Sequence, residues 1–146
     1  MNSTILAGMY AGLAAGVVII LGSHLAPFVG AGNYIRDLDQ PTAFGKGITR
    51  REAHLVGVLV HLLFSLVSGG IYAWLVTQGW VTGFHFLSLL GWSVICLLFQ
   101  GCLVMPLEGH GFFGVKHDAW FAVDAFLTNI LWAMLFLFFL PLWTTV

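Results

Sequence analysis

Residues 105–126 read MPLEGHGFFGVKHDAWFAVDAF and gather the chemistry-bearing side chains of an otherwise oily chain. Glu108, His110, His117 and Asp118 place two imidazoles and two carboxylates in one loop. Such a donor set suits zinc, iron or manganese. The four residues are therefore a candidate divalent-metal site, although their spacing matches no compact motif such as HExxH. Glu52 and His54 are expected at the same boundary and could join them. The loop holds no serine or cysteine, and no phosphate-cradling motif occurs, so nucleophilic catalysis is not indicated. Gly109, Gly111 and Gly114 permit backbone turns that other residues resist, which would let Phe112 and Phe113 dip back into an apolar phase.

Four further polar residues interrupt apolar stretches: His24, His61, Gln100 and Asp124. Counted inward from the expected helix ends, all four lie roughly 7–14 Å deep at the helical rise. A charged group at membrane depth costs about 2.5–3.5 kcal/mol on insertion scales, so such groups face the protein interior and find partners. The four are expected to form one polar layer and to point at each other. His24 and His61 are the best-matched axial pair for a haem b or a chlorophyll-like pigment. His54 lies two turns from His61 on the same helix, so it would serve a different pigment or a relay. No CxxCH attachment motif is present. Histidine also suits proton transfer, but the outer half of the chain offers only His85 to continue a path.

The elements that must carry these residues follow from composition. The chain has 146 residues, 60% of them hydrophobic and 8% charged. Soluble domains average about 25% charged residues, so an integral membrane protein is the class that fits. A net charge of −1 argues against nucleic-acid binding. Four apolar stretches reach spanning length, over about residues 5–30, 53–76, 83–105 and 119–143. Backbone groups in lipid must bond within their own segment, so these are helices. The reading is all-α: one transmembrane domain covering residues 1–146, built as a four-helix bundle. No basic region precedes the first segment, which is read as a retained helix and not a signal peptide. Cys96 and Cys102 lie about 600° apart around one helix and are expected to stay unpaired.

With four spans, both termini and the tight turn near residues 77–82 share one side. Arg36, Lys46, Arg50, Arg51 and Lys116 all fall on the other, which the positive-inside rule makes cytoplasmic. Both termini are then outside, in a bacterial or archaeal cytoplasmic membrane. Tyr10, Trp74, Trp80 and Trp143 suit an outer aromatic belt, and Tyr34 and Trp120 an inner one.

Gly8, Gly12 and Gly16 repeat every four residues, a ridge that lets another helix approach closely. The ridge could pack inside the monomer or serve as a surface for self-association or for other membrane subunits; the sequence leaves this open. The Gly/Ala-rich opening LAGMYAGLAAG and the loop PLEGHGFFG together resemble small four-helix membrane proteins of bacteria and archaea. The resemblance implies the general plan and no activity. The histidine such proteins carry early in the last helix is replaced here by Asp124 or Asn129. The expected function is a non-catalytic accessory or scaffold subunit of a larger membrane complex, energy-transducing assemblies included. The alternative is a haem- or metal-binding redox protein using the cytoplasmic-side histidines and acids.

Overall fold

The computed structural model describes residues 3–25, 42–43, 46–47, 49–107, 111–115 and 120–144. Helix α1 is Ser3–Leu25 and α2 is Arg50–Thr77. Helix α3, Phe86–Phe99, runs on through a π-helical turn, Gln100–Val104, and a short helical turn, Met105–Leu107. Helix α4 is Phe121–Phe139, extended by the turn Pro141–Thr144. A two-residue antiparallel ladder pairs Thr42–Ala43 with Lys46–Gly47. All four helices are long and apolar enough to cross a membrane.

The helix ends differ from the sequence expectation for local reasons. α2 starts three residues earlier than expected because Thr49 and Glu52 cap it reciprocally. α3 starts three residues later because Gly83, at φ +140°, and extended His85 hold the chain out of helical geometry. It then continues past residue 105, with one wider turn absorbed by the π segment. The last residues expected in the first helix, 26–30, lie outside the described ones.

One seam organises the packing. α1 packs most intimately on α2 and next on α4, while α3 packs on α4. Along the first contact the glycine ridge meets small residues of the antiparallel helix. A β-carbon on Gly8 would come within 2.6 Å of the Gly69 carbonyl oxygen. One on Gly16 would come within 2.6 Å of Ser65 Oγ, and Gly12 already faces Ser65 and Gly69. Real β-carbons do not approach so closely, so only glycine fits. The ridge is thus consumed inside the monomer. Of the two placements the sequence leaves open for Gly8, Gly12 and Gly16, this is the one inside the monomer.

The rest of the interior is filled by large side chains around this seam. Tyr72, Leu89 and Phe136 are fully buried, with Trp132 nearly so. The Tyr72 ring meets Phe84, Trp92 and Phe136 at centroid distances of 5.9, 6.1 and 5.9 Å. Polar atoms in this apolar setting bond across helices. Trp132 Nε1–H donates to the Gly12 carbonyl at 3.3 Å. Trp92 Nε1–H donates to Ser68 Oγ at 2.8 Å, and Ser68 Oγ also touches Cys96 Sγ at 3.5 Å. Ser93 O–H donates to the Asn129 carbonyl at 3.1 Å, and Tyr72 O–H to the Gly83 carbonyl at 2.9 Å. The α1–α4, α2–α3 and α3–α4 contacts therefore each gain a directional tie as well as area. At the end distant from His24, Tyr10 stacks near Trp143 and Trp74 near Trp80.

Overpacking a tight seam typically costs about 1–3 kcal/mol. Gly12→Leu should therefore lower the thermal unfolding midpoint of the detergent-solubilised protein. Gly22, whose β-carbon would meet nothing within 4 Å, provides the contrast. Gly22→Ala should leave that midpoint unchanged or raise it.

Candidate functional site

The seam continues to the charged end of the molecule, where it delivers two histidines to each other. As α1 advances from Gly8 to Gly16, its partners on α2 retreat from Ala73 to Leu62. The same register carried onward sets His24 opposite His54. Their Nε2 atoms lie 2.9 Å apart. The rings meet edge to face, with centroids 4.9 Å apart and planes at 72°.

Each ring is positioned by its own helix. The His24 Nδ1–H donates to the Ile20 carbonyl at 2.7 Å, because a carbonyl oxygen can only accept. Ser23 O–H donates to the same carbonyl at 2.8 Å. Neutral His24 is thereby held as the Nδ1–H tautomer, with the Nε2 lone pair aimed across the seam. His54 must then supply the proton of the shared contact from its own Nε2. His54 stands one turn inside the start of α2, and that start is fixed by a capping box. Glu52 N–H donates to Thr49 Oγ1 at 3.2 Å, while Thr49 N–H and O–H both donate to Glu52 Oε2 at 2.8 Å. The hydrogen bond from the Thr49 backbone, and then that from its side chain, hold the Glu52 carboxyl below the usual carboxylate range.

His24 turns to His54 and not to His61. The reason is register. α2 begins at Arg50, so His61 lies three turns into it, opposite the middle of α1, while His24 is next to the last described residue of α1. His61 Nε2 is buried without a hydrogen-bond partner among the described residues. Gln100 opens the π turn and is half-buried. Asp124 lies in the first turn of α4, shallower than expected, with its N–H bonded to the Trp120 carbonyl at 3.0 Å. A helix N-terminus favours a negative charge there. The same register sets His24 against His54 in place of His61, its expected partner in an axial pair.

The metal residues expected in the loop, Glu108, His110, His117 and Asp118, lie outside the described residues. What is described of that loop agrees with the role given to its glycines. Gly111 and Gly114 take φ of +75° and +68° around a 3-10 turn, Phe112–Gly114. Phe113, itself at φ +52°, lays its ring over Gly101 of the π turn, while Phe112 points outward. The loop is thus pinned to α3 by an aromatic ring seated where a side chain is missing. Sequence reading missed the His24–His54 pairing. The signal was available in the glycine spacing, once α2 was known to pack against that ridge.

Compared with known proteins, the chain matches no family model, no curated protein and no solved structure.

Two outcomes test this geometry. A buried polar atom left unpaired costs about 1–3 kcal/mol. His61→Leu should accordingly raise the thermal midpoint, and a clear drop would show that His61 has a partner. The second concerns Glu52. Its folded-state pKa is depressed, so its stabilisation of the α2 start is present above the ordinary carboxylate range and fades as pH falls through the lowered value. Amide exchange in the first turn of α2, corrected for intrinsic pH dependence, should rise across that acid window. Thr49→Ala should raise exchange already at neutral pH and flatten the acid dependence.

Proposed function

We propose that the chain is a small multi-pass membrane protein acting as a non-catalytic accessory or scaffold subunit of a larger membrane complex. The observation that carries this reading is how its interior is spent. The core between the helices is filled ring against ring by Tyr72, Phe84, Trp92, Trp132 and Phe136, and the α1–α2 seam is closed by backbone contact. The fold invests its packing in holding four helices at fixed relative positions.

The outward faces complement that interior. In each helix's most apolar stretch, only 22–33% of residues are buried within the monomer. Leu55, Leu59, Leu63 and Val67 form one such exposed ridge on α2, and Leu127, Leu131, Met134 and Phe138 another on α4. Lipid and neighbouring subunits both suit these faces, since helices associate in membranes by shape and not by hydrophobicity alone. The concentration of basic residues in the two longer loops supports an orientation with both termini outside a bacterial or archaeal cytoplasmic membrane. An energy-transducing assembly is one setting that such a subunit fits.

Blue-native electrophoresis of gently solubilised native membranes tests the reading. The chain should migrate in an assembly with other membrane subunits at a fixed ratio. Recovery solely as a monomer or homo-oligomer, from native nanodiscs as well as detergent, would overturn it.

A further inference from the structure

We propose that His24 and His54 form a binding site for a transition-metal ion that prefers imidazole ligands, zinc being the probe of that class. Three observations converge on it. First, two imidazole nitrogens from different helices, 30 residues apart in sequence, point at one place with a 2.9 Å separation. Two imidazoles on a tetrahedral zinc ion, each at 2.0–2.1 Å, stand about 3.3 Å apart. The side chains need to open by only a few tenths of an ångström to admit the ion.

Second, the outer shell is already in place on one side. A ligating histidine almost always gives its other ring N–H to a carbonyl, carboxylate or water, which fixes the tautomer and strengthens the donor. His24 does this through Nδ1–H to the Ile20 carbonyl at 2.7 Å. The lone pair that a metal needs is therefore the one His24 now offers to His54. For His54 to ligate as well, its proton moves from Nε2 to Nδ1, a change of tautomer with no change of charge.

Third, the site is accessible. His24 is exposed and His54 half-exposed, near the exposed Arg51 and Glu52 at the start of α2. Among the described residues no three of His, Cys, Asp and Glu group closely enough to form a closed cage. Two imidazoles with water in the remaining positions make an open site, the kind that exchanges its ion. Nitrogen donors select zinc, copper or nickel over magnesium and calcium, which take oxygen ligands. A bound ion would lock the end of α1 to the start of α2, at the far end of the seam from Gly8.

Titration of the full-length protein in nanodiscs with Co²⁺ and Zn²⁺ tests the site. One Co²⁺ per chain should bind with a visible d–d absorption, displaced by Zn²⁺ and not by Mg²⁺. His24→Ala and His54→Ala should each weaken binding at least about tenfold, since losing even an outer-shell partner costs 10–100-fold. His85→Ala, at the opposite end, should not. If an alanine variant loses its helical circular dichroism, the unsubstituted protein decides the matter. Zinc should then protect His24 and His54, and not His85, from diethyl pyrocarbonate, read by mass spectrometry. Absence of binding, absence of protection, or binding that survives H24A and H54A and is lost in H110A or H117A would overturn the proposal.

Discussion

The structure depends on the approach of two backbones along α1 and α2. Glycine at 8, 12 and 16 removes the side chains that would hold the helices apart, and Ser65, Gly69 and Ala73 keep the opposite face small. At that distance dispersion contacts are numerous and the register is sharply defined, because a slip by one residue would drive a side chain into a carbonyl. Close fit and cross-helix hydrogen bonds are the terms that hold apolar helices together in lipid, and both are present here. Once α1 and α2 are locked, α4 finds its place through the Trp132 indole on the Gly12 carbonyl. α3 then closes the bundle, against α4 through Ser93 and against α2 through Trp92.

This division of labour explains why small and large residues are segregated. One side of α1 carries the glycines and alanines at 7, 8, 11, 12, 15 and 16, all buried. The volume they give up is returned by aromatic residues on α2, α3 and α4, which fill the wider space beyond the seam. The π turn at Gln100–Val104 belongs to the same scheme. It sets Gly101 where Phe113 can cover it, so the loop before α4 is anchored to the helix that precedes it.

The polar residues near the charged end follow from that frame and not from their own chemistry. His24 and His54 meet because the seam's register leads there, with the capping box deciding where α2 starts. Asp124 occupies the first turn of α4, where the helix dipole favours a negative charge. Among the described residues His61 Nε2 has no hydrogen-bond partner although it is buried, and it marks a cost the fold carries.

Much of the architecture was legible from the amino-acid sequence. Low charge and four long apolar runs dictate four helices, since nothing else satisfies the backbone in such a chain. The glycine repeat marks a close-packed face, and Gly111 and Gly114 mark turns. Depth along each helix was legible only to within a few residues, because helix ends are set by caps and local turns such as Thr49–Glu52 and Gly83. That error was enough to pair His24 with His61 in place of His54. The partner of the glycine ridge and the meeting of His24 with His54 were decided by tertiary structure alone. Spacing within one helix fixes which residues share a face, but it holds no information on which face of another helix will oppose it, or in what register.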